Sequence, residues 1–288
     1  MRILLEDSAA RRLTSTDPWV KQAKLTADDG AEDDEFGSSL SISGDTIVVG
    51  ASYDGNLPYG SATIFYRNHG GSDNWGKVTK ITPSDDSYQD GFGCCVSISG
   101  DTLIVGSYAD NAPTADSGSA YIFERNYGEE DNWGEVKKIV LANGASRDNF
   151  GSSVSISGDT LVVGVPGDDN TATNTGSACI FKRNEGGADN WGQVTKFTPD
   201  DALIYDNFGT SVAISDDTVV AGSPYDDDNG SASGSAYVYV PVDLCECDFE
   251  PAEGDNDVDG ADLAAYIADN AGISLGVFAK DFGRISCP

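Results

Sequence analysis

The stretch Ser153-Val154-Ser155-Ile156-Ser157-Gly158-Asp159-Thr160-Leu161-Val162-Val163-Gly164 decides the fold. Its first five residues alternate polar and apolar, the period of two expected of a half-buried strand. Gly158-Asp159 suits a two-residue hairpin turn, because glycine tolerates the positive φ that such turns need. Leu161-Val162-Val163 is apolar on both faces and predicts an interior strand. Beyond it come a loop rich in Asp, Asn and Gly (167–175), a third strand opening at Gly176 and running through Phe181, a turn at Arg183-Asn184-Glu185-Gly186, and a fourth strand from Trp191 to Phe197.

The same text recurs along the chain. Phe36-Gly37, Phe92-Gly93, Phe150-Gly151 and Phe208-Gly209 are spaced by 56, 58 and 58 residues, and Trp19, Trp75, Trp133 and Trp191 keep the same spacings, each 17 residues ahead of its Phe-Gly pair. Four antiparallel strands per unit are the content of one propeller blade, so the expected fold class is all-β: a β-propeller of four four-stranded blades. The repeated aromatics, among them Phe36, Trp75, Tyr121 and Phe123, are expected in the core.

These units resemble the FG-GAP repeats of integrin-like β-propellers over about residues 19 to 240. The second half of that motif is degenerate here, reading Gly50-Ala51-Ser52, Gly106-Ser107-Tyr108, Gly164-Val165-Pro166 and Gly222-Ser223-Pro224. Calcium-binding members of the family carry an Asp-rich loop before this strand. Ser43-Gly44-Asp45-Thr46 and its repeats are too short to wrap a cation that needs six to eight oxygens, so no such sites are expected in the blades. The resemblance implies an extracellular or cell-surface protein of recognition or adhesion, non-catalytic and secreted, meeting a protein or glycan through its blade loops; a secreted hydrolase acting on polysaccharide and a structural spacer in an extracellular assembly are the alternatives.

The ends of the repeat array bear on closure. Trp19 to Leu25 corresponds to a fourth strand, whereas the last repeat stops after its third, at Gly234 to Val240. The N-terminal strand is therefore expected to complete the last blade and close the ring, removing both exposed edges. A homodimer sharing one larger ring is the alternative if one chain does not close its own. The resulting organisation is an N-terminal extension (1–18), the propeller (19–242) and a C-terminal module (243–288).

That module opens on Cys245-Glu246-Cys247 and continues Gly254-Asp255-Asn256-Asp257-Val258-Asp259-Gly260-Ala261-Asp262-Leu263. Alternating carboxylates ahead of an apolar helix suit calcium, a hard cation that takes several oxygens from one tight loop. The segment resembles a dockerin or EF-hand-like loop, with Asp255, Asp257, Asp259 and Asp262 as the expected ligands. Two registers stay open: Asp255 can open the loop, leaving Tyr266 at the closing position, or Asp262 can close it, placing Pro251 at position one. Two short amphipathic helices follow, one with Leu263, Tyr266 and Ile267 on a face and the other with Leu275, Phe278 and Phe282. Cys287 is within reach of a bond to Cys247 or Cys245, which would stabilise so small a module by roughly 4 kcal/mol in the chain-entropy view.

Composition excludes several functions. With 17 basic against 48 acidic residues, a formal net charge of −31, clustered phosphate-binding cations are missing and nucleic acid is not an expected partner. The 39% of hydrophobic residues, regularly placed, argues against disorder. No run of 18 apolar residues exists, so no membrane span is expected, and residues 1–7 lack an apolar core long enough for a secretion signal. The single histidine, His69, is replaced by Tyr127 and Glu185 in later repeats and reads as an exposed turn residue. The pairs Asp168-Asp169 and Asp226-Asp227-Asp228 recur in equivalent loops, where Asp serves turn geometry. Cys94 and Cys95 occupy positions held elsewhere by serines and read as small packed residues.

Overall fold

The structure, a computed structural model, describes residues 20–55, 60–85, 90–169 and 172–241. The chain divides into two units, Met1–Val240 and Pro241–Pro288, and the described residues belong to the first, save Pro241. They contain strands and no helix. Blade 1 holds β1 (Ser39–Ser43), β2 (Thr46–Ala51), β3 (Ser61–Arg67) and β4 (Trp75–Ile81). Blade 2 holds β5 (Phe92–Ser99), β6 (Thr102–Ser107), β7 (Ser119–Glu124) and β8 (Gly134–Ile139). Blade 3 holds β9 (Ser153–Ser157), β10 (Thr160–Val165), β11 (Ser177–Lys182) and β12 (Gly192–Phe197). Blade 4 holds β13 (Ser211–Ser215), β14 (Thr218–Ser223) and β15 (Ser235–Tyr239). Each sheet is an antiparallel meander in sequence order, and the same register shift recurs between third and fourth strands, at Ile64/Phe65, Ile122/Phe123 and Ile180/Phe181.

The second and third strands of blades 1 to 3 bury residues on both faces, so the core lies between blades rather than within them. One cluster joins Val48, Ala62, Ile64 and Ile81 of blade 1 to Phe92, Val96, Ile98 and Leu103 of blade 2. A second joins Ile104, Ile122 and Ile139 to Phe150, Val154 and Ile156 of blade 3, and a third joins Val162 and Ala178 to Phe208 and Val219 of blade 4. Phe92, Phe150 and Phe208 are fully buried, and each stacks edge-on against aromatics of its own blade, such as Phe181 at 6.0 Å from Phe150.

The glycines of the repeat exist because backbones of neighbouring blades meet. Gly151 has φ +86°, and a Cβ there would lie 2.1 Å from the Ser119 carbonyl of blade 2. Its own carbonyl crowds Gly106 of blade 2, where an added Cβ would stand 2.1 Å away. Serines on the inner strands then sew the blades together. Ser41, Ser97 and Ser155 accept the Ile98, Ile156 and Ile214 amides at 3.0, 3.1 and 3.1 Å, and Ser43, Ser99 and Ser157 accept those of Gly100, Gly158 and Asp216. At the hairpin end of the blades an arginine latch repeats: Arg183 lies 4.6 Å over Trp191, pairs with Asp159 at 2.6 Å, and reaches Thr102 of blade 2 at 2.7 Å. Arg125 does the same over Trp133 and to Thr46.

Among the described residues the N-terminal segment does not complete blade 4. Residues 20–25 form no strand, and the fourth sheet has three strands where four were expected. The segment is instead tied by side chains to blade 1. Gln22 donates to the Asp73 carbonyl at 3.1 Å and accepts from the Trp75 indole at 3.3 Å, and Lys77 and Lys80 pair with Asp28 and Asp29.

Two glycines separate packing from backbone conformation. Gly151→Ala meets both a positive φ and a carbonyl, and is expected to cost roughly 3 kcal/mol or more. Gly158→Ala, at φ +55° with open space around it, is expected to cost about 1 kcal/mol. Urea unfolding of both variants checks this, and equal losses would remove the blade-contact account of the Phe-Gly glycines.

Candidate recognition rim

One rim of the array gathers the connectors between blades and the long loops between second and third strands. Its floor is a repeated buried carboxylate. Asp54, Asp110, Asp168 and Asp226 are almost wholly buried, each just after the second strand of its blade. Asp54 accepts from Ser61 at 2.8 Å and Lys80 at 2.7 Å. Asp110 accepts from Ser119, from the Tyr121 hydroxyl at 2.9 Å and from Lys138. Asp168 accepts from Ser177 and Lys196, and Asp226 from Tyr237 at 2.6 Å. A second set, Asp34, Asp148 and Asp206, folds the connectors by accepting the amides of Ala31, Ala145 and Leu203 at 2.6 to 2.7 Å.

Electrostatics follow from these contacts. Burial pushes the Asp85 carboxyl up, but hydrogen bonds from Lys138 and Tyr121 outweigh it and hold the group below its ordinary value. Burial likewise raises Asp148, aided by the nearby Asp168 charge. Asp228, on the surface, is raised chiefly by Asp226. The rim is thus strongly acidic: Lys80, Lys138 and Lys196 are committed to the buried carboxylates beneath, and Arg147 is exposed on its connector.

The connectors are zipped to the preceding blade by backbone bonds, Arg147 to Ala115, Phe150 to Ser117, Tyr205 to Thr173 and Phe208 to Thr175. Asp169 and Asp227 accept the amides of Asn174 and Ala232, so these loop carboxylates do hold turns. On this framework sit exposed apolar and aromatic residues: Tyr53, Leu203, Ile204, Tyr205 and Tyr225. Tyr53 and Tyr108, from adjacent blades, bring their hydroxyls within 3.4 Å. That hydrogen bond, with burial, pushes the Tyr108 phenol up to about 12.

The residues singled out in the sequence fall as follows. Asp255, Asp257, Asp259 and Asp262, with Cys245, Cys247 and Cys287, lie outside the described residues. Among the described residues no group of His, Cys, Asp and Glu is arranged to hold a metal ion. His69 is exposed in its turn. Cys94 and Cys95 are half-buried free thiols with sulfurs 3.7 Å apart, and Cys179 is a buried free thiol. Cys95 reaches the Gly151 carbonyl at 3.1 Å, replacing the serine hydroxyls of Ser39 and Ser153 that make the equivalent contacts at 2.8 Å. Tyr53 and Tyr225 hold one repeat position, three residues after Gly50 and Gly222, but Ala109 and Gly167 stand there in the middle repeats and Tyr108 is one residue earlier, so the rim tyrosines give a broken signal in the sequence.

Lys138→Met would leave Asp110 buried without its cation, a loss of about 3 kcal/mol. The sign with pH follows from Asp85: its depressed value gives stability that is present above the ordinary carboxylate value of 3.8 and lost as pH falls through the folded one. The variant lacks that contribution, so its unfolding free energy is expected to fall less than that of the parent between about pH 5 and pH 2. Parallel acid titration curves would contradict the pairing.

A family profile recovers the same four units. The FG-GAP repeat profile matches residues 19–65, 75–123, 133–181 and 191–239, each match running from the tryptophan through the third strand that follows. No curated protein matches the chain. Among solved structures, the crystal structure of the computationally designed Ika4 protein is similar at 12% identity and a TM-score of 0.42, covering 76% of this chain and 98% of that one. With four matched repeats spanning most of its length and four successive blade-like sheets, the chain belongs to the FG-GAP repeat family.

Proposed function

We propose that the protein is an extracellular or cell-surface recognition protein that meets a protein or glycan through its acidic, tyrosine-bearing rim, and that it performs no catalysis. The observation that carries this reading is the placing of Tyr53, Tyr205 and Tyr225, all exposed, on loops whose backbones are fixed by buried carboxylates and inter-blade bonds. Tyrosine offers a large rigid contact surface at low entropic cost, with a hydroxyl for polar partners. A fixed scaffold beneath it lowers the ordering cost of binding. The surrounding carboxylates favour partners that present hydroxyls or basic side chains.

Binding of the full chain to a panel of immobilised glycans and extracellular matrix proteins tests the rim. A ligand captured by the parent and lost by the double variant Tyr53→Ala with Tyr225→Ala, at unchanged Tm, is the expected result. Capture that the double variant retains would place recognition elsewhere.

Calcium belongs to the same reading, held by Asp255, Asp257, Asp259 and Asp262 as a brace for a C-terminal docking module. Support comes from the sequence alone, as alternating carboxylates suit a hard cation. Calorimetric titration of the full chain is expected to lose its tightest calcium site in the variant Asp255→Asn with Asp259→Asn. An unaltered isotherm would refute the assignment.

A further inference from the structure

The two ends of the blade array carry the unmatched halves of one interface, and this inference does not depend on the recognition role above. At the first two internal boundaries the inner strand of the later blade buries its apolar residues against the blade before it, and at the third Val212 and Ile214 of β13 are half-buried there. Val96 and Ile98 of β5 are 7% and 6% exposed, and Val154 and Ile156 of β9 are as deeply covered. Their equivalents on β1, Leu40 and Ile42, are 67% and 61% exposed. The opposite face of blade 4 is bare in the same way: Val220 and Val238 replace the covered Val162 and half-buried Ile180 of blade 3, and Val238 is 66% exposed.

The glycines tell the same story. Gly37 keeps the left-handed φ, +100°, of Gly93 and Gly151, yet nothing lies within 4 Å of a Cβ placed on it. Gly222, the counterpart of Gly50, Gly106 and Gly164, has lost the neighbouring carbonyl that crowds those three. The inner-strand serines are also in place, with Ser211 and Ser215 at the positions of Ser153 and Ser157, which bond Gly209 and Asp216 of the next blade. Gly37 and Gly44 are the matching groups on blade 1. Ala213 breaks the series at its middle position.

Charge completes the match. Lys80, Lys138 and Lys196, five residues after their tryptophans, each pair with the buried carboxylate of their own blade. Blade 4 has that carboxylate, Asp226, and beside it Asp201 and Tyr237, but among the described residues its sheet has three strands and no lysine pairs with them. A groove lined by Thr198, Asp201, Tyr237 and Tyr239 runs along the open edge of β15. The fourth lysine of the series is Lys24, exposed in the segment 20–25 that lies on blade 1.

We propose that a second copy of this chain docks head-to-tail, its blade 1 covering the bare face of blade 4 and its residues 20–25 entering the groove beside β15. Lys24 of one copy then meets Asp226 and Asp201 of the other. The segment need not leave Trp75 and Asp73 to do so. Among the described residues of one copy both faces are uncovered at once, so blade 1 and blade 4 of one copy do not cover each other. The contact is heterologous, and it closes when the rotation allows. Two copies make eight blades, within the four to eight usual for propellers, whereas three would exceed it.

Light scattering of the full chain at micromolar concentration is expected to give twice the 30.1 kDa of one chain. Ile42→Asp and Val238→Asp, both at exposed positions, are each expected to keep the parental circular dichroism and run as monomers. Mixing the two restores a dimer through the one boundary left intact. Lys24→Glu, which touches no core, is expected to raise the dimer Kd about tenfold or more. A folded parent of single mass, a series of larger assemblies, or a dimer indifferent to all three substitutions would overturn the proposal.

Discussion

A blade of this protein cannot bury its own surface. The central strands, such as β6 and β10, are apolar on both faces and find cover only against the blade before and the blade after. Everything else follows from bringing two twisted sheets that close. Glycine is required where one backbone presses on the next, small residues follow it on the second strand, and inner-edge serines bond the amides that no strand partner reaches. Stability is then a sum over boundaries, as in other repeat arrays, and the terminal faces are where the sum is incomplete.

The same constraint explains why the rim can be acidic without falling apart. Each boundary already places a buried carboxylate, a lysine and a hydroxyl or phenol in one compact group, so the charge there is compensated where water is excluded. Carboxylates nearer the surface are left to hold turns, as Asp169 and Asp227 do, and Asp228 is raised by the charge of the buried Asp226. Recognition, on this view, uses what the scaffold leaves exposed: tyrosines and a few aliphatic residues on loops that the blades keep still.

Much of the fold was legible because the repeat has to satisfy the same geometry four times. The Phe-Gly and tryptophan spacings gave the blades, Gly158-Asp159 the hairpin, and Leu161-Val162-Val163 the interior strand. What was not legible depends on contacts between repeats. The arginine latch of Arg125 and Arg183 joins residues some 80 positions apart, and the hydroxyl ladder looks like ordinary strand alternation until neighbouring blades are seen. Position in the repeat says where residues 20–25 belong relative to a blade, not which blade supplies the edge, and these residues form no strand. Lys24 was readable in principle, standing five residues after Trp19 as Lys80 does after Trp75. For the rim, the buried aspartates mark the loops, but the tyrosines recur only in the first and last repeats, at Tyr53 and Tyr225, and leave no continuous periodic signal. The carboxylates from Asp255 to Asp262 stand on their sequence pattern alone.

The central claim is that the inner strands of successive blades are held together by serine hydroxyls receiving amides from the next blade. Hydrogen exchange of the Ile98, Ile156 and Ile214 amides reads this directly, since these N–H groups donate to Ser41, Ser97 and Ser155 across blade boundaries. The account predicts protection on the scale of amides inside the sheets. Exchange at the rate of open loops would mean that the blades do not meet in this register, and the packing described would be wrong.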